Sequence, residues 1–173
     1  MFLIDKYEVI VRIWHYLQQA KPEDILKLPD MNQGERVPEQ LIDEEKWLIG
    51  FCINNGSANP KKTTAKFNSW NKNKLNIAEN LYKIRHWKIK QDEYYNLKNV
   101  KATWFVDPPY QYGGMYYKYK DVDYSYLANW CKERKGQVIV CENTKADWLD
   151  FEPLKKMHGQ LHSTTEAIWH KIE

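Results

Sequence analysis

The sequence predicts an α/β protein in which helices flank a mostly parallel sheet. Short apolar runs alternate with segments whose apolar residues recur at helical spacing, as they do in βαβ units. Hydrophobic residues make up 43% and charged residues 28% of the 173 residues, which is a globular composition and excludes a disordered or fibrous chain. In such sheets ligands bind at the carboxyl ends of the strands, so we expect functional side chains there.

The predicted elements follow from two periodicities, alternation for strands and a spacing of three to four residues for helices. Strands are expected at 2–4, 86–90, 101–106, 137–141 and 165–172. Helices are expected at 6–20, 44–54, 73–85 and 122–133. The second helix is expected to close at the turn signal Asn54-Asn55-Gly56. Residues 1–173 are predicted to form a single domain.

The N-terminal stretch argues against a signal peptide, because Asp5, Lys6 and Glu8 fall where an apolar run is required. No apolar run approaches the roughly 18 residues that cross a bilayer. We therefore expect a cytoplasmic protein with no membrane partner. The three cysteines lack CxxC spacing, which disfavours a disulfide framework and a zinc site. His158 and His162 are four residues apart without a third ligand, so no metal is predicted.

Charge is segregated along the chain. Residues 21–45 are net acidic, whereas residues 47–78 contain no acid at all. The second stretch includes a predicted basic, polar insertion at about 54–76, whose lysines are Lys61, Lys62, Lys66, Lys72 and Lys74. Such a segment attracts a polyanion, and the interleaved rings of Phe67 and Trp70 favour nucleic acid, since rings stack on bases. The alternative is a solvated basic loop that has no partner.

The most specific motif is Asp107-Pro108-Pro109-Tyr110, at the carboxyl end of the predicted strand 101–106. A chance match to one stated tetrapeptide in a chain of this length is on the order of one in a thousand. The alternative is an ordinary exit turn that two prolines stiffen.

The motif and much of the chain resemble the S-adenosylmethionine-dependent DNA adenine-N6 methyltransferases, particularly the small adenine methylases of bacteria and their phages. The segments that carry the resemblance are FLIDKYEVIVRIWHYL, EEKWLIGFCINNG, RHWKIKQDEY, ATWFVDPPYQ, DYSYLANWCKERKGQVIVCEN, ADWLDF and STTEAIW. The resemblance implies a Rossmann-like methyltransferase sheet, double-stranded DNA as the partner and Asp-Pro-Pro-Tyr as the catalytic motif. It also implies that Asp5 accepts hydrogen bonds from the ribose hydroxyls of S-adenosylmethionine and that Asp92 accepts one from its adenine amino group.

Each of these implied cofactor contacts has a structural alternative. Asp5 and Glu8 have the spacing of a capping box for the next helix, a role that is compatible with ribose binding. Asp92 in KQDEY could instead be a turn residue.

The chemistry explains why this motif is wanted. The lone pair of an exocyclic amine is delocalised into the ring, and methyl transfer places positive charge on the nitrogen. The Asp107 carboxylate and the Pro108 carbonyl can accept both amine hydrogens and stabilise that charge. Proline adds no competing N–H and fixes φ. Tyr110 can stack on an adenine that has left the duplex.

The segment 111–120 is rich in glycine and tyrosine. We expect its glycines to act as hinges and Tyr112 and Tyr116 to contact nucleic acid. Alternatively, these rings close the edge of the sheet.

The sequence departs from the family in one respect. Family members carry a first strand and a Phe-x-Gly-x-Gly turn before the segment matching Met1 to Asp5, and this sequence has neither. Either the natural N-terminus is absent, or a second polypeptide supplies the segment, or the sheet closes differently and binds no cofactor. The last case defines a rival function, a non-catalytic nucleic-acid-binding subunit.

Overall fold

The computed structural model describes residues 1–54, 57–158 and 163–172. Its contacts divide the chain into two compact units, Met1–Tyr94 and Tyr95–Glu173, and each is described by itself. Both units combine helices with strands, so the predicted mixture of α and β structure is confirmed. Among the described residues no helix has both the length and the apolar character needed to span a bilayer.

The first unit contains a parallel pair of strands and a set of helices. The strands are β1 (Phe2–Asp5) and β2 (Lys88–Gln91), and Asp5 lies opposite Gln91. The helices are α1 (Glu8–Gln19), α2 (Pro22–Leu26), α3 (Asp43–Cys52) and α4 (Trp70–Asn80), and α4 continues into a 3-10 turn, Leu81–Ile84. Both strands end with their carboxyl termini side by side, which places Asp5 and Asp92 at one edge.

The core of the first unit lies among these helices. Ile25, Ile49, Ile53 and Trp70 are 0% exposed. Burial of each such aliphatic side chain contributes roughly 1.5–3 kcal/mol, so these residues account for a substantial part of the stability of the unit. Trp70 also donates its indole N–H to the Pro29 carbonyl at 2.8 Å, which satisfies its polar atom inside the core.

The basic, polar segment is fastened to the fold by backbone hydrogen bonds. The Lys61 N–H donates to the Gly50 carbonyl at 2.9 Å, and the Val37 N–H donates to the Lys62 carbonyl at 2.9 Å. Helix α4 begins at Trp70, so the last part of the predicted insertion at 54–76 is a core helix. The predicted helix stop at Asn55 and Gly56 lies outside the described residues.

The second unit contains a mixed sheet in the order β3-β4-β6-β5. The strands are β3 (Trp104–Val106), β4 (Val138–Asn143), β5 (Glu152–His158) and β6 (Ser163–Lys171), and helix α5 (Tyr124–Glu133) precedes β4. β3 pairs with β4 in parallel, but β6 runs antiparallel to both β4 and β5. The expectation of a mostly parallel sheet is therefore wrong for this unit, because the hairpin β5–β6 returns β6 against β4.

The pairing of β3 with β4 positions the candidate site. Val106 lies opposite Val140, so the chain leaves β3 at Asp107 beside Cys141 and Glu142. Val138 and Val140 are 0% exposed and anchor β4 in the core of the unit. The Asp107 motif is therefore attached to a well-packed strand pair.

The turn into β4 depends on a glycine, because Gly136 has φ +88° and a Cβ there would lie 2.3 Å from the Ala102 carbonyl oxygen. Gly113 in the same unit has φ +112° with no atom within 4 Å of such a Cβ.

Gly113→Ala is expected to lose about 1–2 kcal/mol of unfolding free energy from backbone strain alone. Gly136→Ala is expected to lose about 1–3 kcal/mol more, from overlap with Ala102. Urea titration of the two variants measures the difference, and equal losses would contradict the close approach.

Candidate active site

The Asp107 motif directly follows β3 and presents two hydrogen-bond acceptors that have no donor among the described residues. The Pro109 carbonyl accepts from the Tyr124 hydroxyl at 2.8 Å, and the Tyr110 carbonyl accepts from the Gly114 N–H at 3.0 Å. Within the part of the chain that the structure describes, no donor bonds the Asp107 carboxylate or the Pro108 carbonyl. The fold thus satisfies the two later carbonyls and leaves the two earlier oxygens available to a ligand that donates N–H groups.

The electrostatics of Asp107 are those of a carboxylate with a like charge nearby. Desolvation raises its pKa above the usual value, and the negative charge of Glu166 raises it further. The residue as a whole remains exposed, so water screens this repulsion. A carboxylate held this way favours a ligand that brings hydrogen-bond donors or positive charge.

Tyr110 is held by a residue of β6, the strand on the far side of β4 from β3. Its hydroxyl donates to the Glu166 Oε2 atom at 2.7 Å, a charge-assisted hydrogen bond. Desolvation and then this bond raise the pKa of Tyr110, so the phenol stays protonated. Sequence reasoning missed Glu166, because the strand periodicity of 165–172 does not indicate which strand β6 pairs with.

The buried carboxylate of Glu142 supports the chain just after the motif. Glu142 is 0% exposed, and its Oε1 accepts from the Gln111 N–H at 2.5 Å and from the Trp148 indole N–H at 3.3 Å. Its Oε2 accepts from the Asn143 N–H at 2.8 Å. These donors compensate the loss of hydration of a buried carboxylate. Sequence reasoning also missed Glu142, since VIVCEN reads only as the end of a buried strand.

The segment 111–120 begins as an anchored loop. The Asn143 side-chain amide donates to the Tyr112 carbonyl at 2.8 Å, and the Gln111 amide exchanges hydrogen bonds with Asp147 at 3.0 and 3.1 Å. The side chain of Tyr112 is 51% exposed and that of Tyr116 73% exposed. Both predicted nucleic-acid contacts therefore present their rings to solvent and do not fill a packed sheet edge.

Gly114 in this loop has a packing role. A Cβ there would lie 3.1 Å from the Pro109 carbonyl carbon, so the glycine lets the loop pack against the motif. Its expected role as a hinge stays a prediction.

The structure brings together the two aspartates predicted to bind a cofactor. The Asp92 N–H donates to the Asp5 carbonyl at 3.2 Å. Asp5 is the last residue of β1, and Asp92 directly follows the parallel strand β2. The Asp5 Oδ1 atom accepts from the Tyr7 N–H at 2.6 Å, and desolvation raises the pKa of Asp5 despite that bond. Tyr7, not Asp5, is the N-cap of α1, so the predicted capping box of Asp5 with Glu8 does not form.

Asp92 is more fully occupied than Asp5. Its Oδ1 accepts from the Glu93 N–H at 2.8 Å, and its Oδ2 bonds the Lys90 ammonium at 2.5 Å. In the described chain the Oδ2 atom of Asp5 has no such donor. Of the two carboxylates, Asp5 is the freer acceptor for a ligand hydroxyl.

The predicted nucleic-acid lysines separate into an exposed set and one buried member. Lys74 is 8% exposed, and its ammonium donates to the Leu28 carbonyl at 3.0 Å and to the Asp30 carboxylate. The burial of Lys74 argues against its predicted contact with nucleic acid, and Trp70, 0% exposed, offers no ring surface for stacking in this structure. The exposed members are Lys61, Lys62, Lys66 and Lys72.

An aromatic ring accompanies the exposed lysines. Phe67 is 55% exposed, and the Lys66 ammonium lies 5.5 Å from the centroid of its ring. This pair retains the combination of charge and ring that was expected of the segment.

Potential metal ligands do not cluster in residues 1–54, 57–158 and 163–172. No group of three or more His, Cys, Asp or Glu side chains there could hold a metal ion, and His162 lies outside these residues.

No protein-family model and no curated protein matches the sequence.

The two lysines of α4 offer a matched test of burial. Lys74→Ala is expected to lose about 1–3 kcal/mol of unfolding free energy, because the Leu28 carbonyl and Asp30 lose their donor. Lys72→Ala removes the same charge from an exposed position and should change stability by less than about 0.5 kcal/mol. Thermal unfolding compares the two variants. Equal stability, together with weaker DNA binding by Lys74→Ala, would restore Lys74 to the nucleic-acid surface.

Proposed function

We propose that this chain is a DNA adenine-N6 methyltransferase domain, which transfers a methyl group from S-adenosylmethionine to the N6 amino group of an extruded adenine. One observation carries the proposal. The Asp107 carboxylate and the Pro108 carbonyl are adjacent at a strand end and have no donor in the described part of the chain, and an adenine amino group has two N–H donors to offer. The resemblance of the sequence to the small adenine methylases supports the same conclusion.

The two oxygens activate the amine by accepting its hydrogens. Hydrogen bonding localises the nitrogen lone pair away from the ring and stabilises the positive charge that develops there. S-adenosylmethionine, when bound, supplies an electrophilic methyl group on a sulfonium. As nitrogen forms the new C–N bond and the C–S bond breaks, N6 must release a proton. Asp107, whose pKa desolvation raises, is the acceptor positioned for that proton.

Tyr110 gives the base a surface on which to stack. Its hydroxyl donates to Glu166, so the ring is held at its far end, and the residue lies within three positions of both acceptors in the sequence. A base can reach this site only after leaving the duplex. The exposed rings of Tyr112 and Tyr116 follow within a few residues and are suited to contact the displaced strand or its backbone.

The residues proposed to hold S-adenosylmethionine fit that role unequally. Asp5 has a free Oδ2 atom and can accept from a ribose hydroxyl. Asp92 is already bonded to Lys90 and Glu93, so it could accept from the adenine amino group only by exchanging one of these partners. Both lie at the carboxyl ends of parallel strands, where α/β folds place their ligands.

The proposal extends to the fold. We infer a Rossmann-like methyltransferase sheet, and the parallel pairing within each unit, β1 with β2 and β3 with β4, supports it. The glycine turn of the resembling family is absent from this sequence. In our proposal an upstream segment or a second polypeptide contributes that turn and the first strand.

The central experiment mixes the chain with labelled S-adenosylmethionine and DNA lacking N6-methyladenine, with and without an N-terminal complement carrying the glycine turn. Asp107→Asn and Tyr110→Ala are expected to lower the rate of label transfer by about 10²–10³-fold, because each removes a transition-state interaction, with little change in DNA affinity. Asp150→Asn is a control at an exposed position. If no label transfers with the complement present, and Asp107→Asn alters nothing, the enzyme proposal is wrong.

The rival function is a non-catalytic nucleic-acid-binding subunit, which requires only the exposed lysines and no cofactor. Calorimetry separates the two functions. DNA binding with strong salt dependence and no heat from S-adenosylmethionine, again with the complement present, would favour the rival.

The exposed lysines allow a separate test of DNA binding. Replacing Lys61, Lys62 and Lys66 together with Ala should weaken duplex binding and flatten its dependence on salt by about 0.9 in logarithmic slope for each phosphate that no longer has a lysine partner. The per-enzyme turnover at saturating DNA should stay unchanged. A control variant replaces three exposed lysines elsewhere, Lys21, Lys27 and Lys132. An identical decrease of affinity in both variants would show that only net charge matters.

A further inference from the structure

We propose that Glu166 is a positioning residue of the candidate active site, which fixes the ring of Tyr110 as the surface on which the target base stacks. This inference rests on the proposed function and adds a residue that the sequence motif does not contain. The hydroxyl of Tyr110 donates to the Glu166 Oε2 atom at 2.7 Å. Such a bond to a carboxylate is stronger than a bond between neutral groups, so it can hold a ring against rotation.

The position of Glu166 in the sheet makes it a rigid acceptor. Strand β6 lies between β4 and β5, and Glu166 is opposite Asn143 on one side and Lys155 on the other. Tyr110, by contrast, belongs to the irregular segment after β3. Glu166 on an inner strand therefore fixes the ring of Tyr110, which belongs to an irregular segment. Sites that must hold a ligand in one geometry rely on such support from rigid elements.

The charges around this pair favour function over simple structural support. Asp107 and Glu166 are two carboxylates of like charge, and the charge of Glu166 adds to desolvation in raising the pKa of Asp107. In the described chain neither carboxylate forms an ion pair with Lys or Arg. Desolvation and then these two charges raise the pKa of Tyr117. The same causes raise the pKa of Cys141 to about 11. A neutral glutamine would accept the Tyr110 hydroxyl without this repulsion. A like-charge pair beside open acceptors indicates a site that receives donors or positive charge.

The test is a double-mutant cycle read by methyl-transfer kinetics. Glu166→Ala and Tyr110→Phe are each expected to lower kcat about tenfold with an unchanged KM for DNA, because each removes the same hydrogen bond. The double variant should be no slower than either single variant. Glu166→Gln retains an acceptor and should recover most of the rate. Glu152→Ala is the control at an exposed position at the start of β5.

A second readout does not depend on methyl transfer. The fluorescence of 2-aminopurine deoxyriboside falls when the base stacks on a ring, and Tyr110→Ala identifies the part of that quenching which belongs to the site. We expect weaker site-specific quenching in Tyr110→Phe and Glu166→Ala and full quenching in Glu166→Gln. Because Tyr110→Phe breaks the bond from the other end, a Glu166→Ala variant that fails to fold leaves the test decisive.

The outcomes separate the two proposals. Quenching that follows the cycle in a chain that transfers no methyl group even with the N-terminal complement would reject the methyltransferase and leave the role of Glu166 in place. An active chain in which the losses are additive, or in which Glu166→Gln is as slow as Glu166→Ala, would overturn the positioning role. A change in the KM for DNA alone would overturn it as well.

Discussion

The candidate site depends on one fully buried carboxylate, that of Glu142. It accepts from the backbone N–H groups of Gln111 and Asn143 and from the indole of Trp148. An unpaired buried carboxylate would be strongly unfavourable, so these donors must stay in place for the second unit to fold. Gln111 comes directly after Tyr110, and the end of β4 thereby dictates the path of the chain as it leaves β3.

That path has an energetic consequence for the motif. In the folded chain the Tyr124 hydroxyl donates to the Pro109 carbonyl, and the Gly114 N–H donates to the Tyr110 carbonyl. The fold leaves Asp107 next to the like charge of Glu166, an arrangement that a stable fold does not need. Sites commonly retain such unfavourable features where a ligand relieves them. The pair of amine hydrogens in the proposed function would relieve both features.

The sequence predicted local structure better than it predicted partners. The periodicity behind α1, α3, α5, β3 and β4 is local, and each of these elements forms close to where it was expected. Strand β5 was missed because Pro153 breaks its pattern, and a register shift follows that proline in the structure. The sequence does not show that Lys72 is exposed and Lys74 buried. Only the fold exposes Lys72 to solvent and places Lys74 against Asp30. Glu142 and Glu166 were missed for the same reason, because their roles arise from contacts with segments distant in the sequence.

The sign of the site's charge bears on how a polyanion could use it. Phosphates are repelled by the carboxylates of Asp107 and Glu166, whereas the amino group of an adenine presents only donors to them. A duplex with all its bases stacked offers mainly phosphates to such a surface, so under the proposed function attraction would begin only when a base is extruded. The exposed lysines of the first unit have the opposite sign and suit the backbone. Under the proposed function, attraction for the backbone and acceptance of the base belong to different side chains, and selectivity for an amino-bearing base would follow from charge as well as from hydrogen bonding.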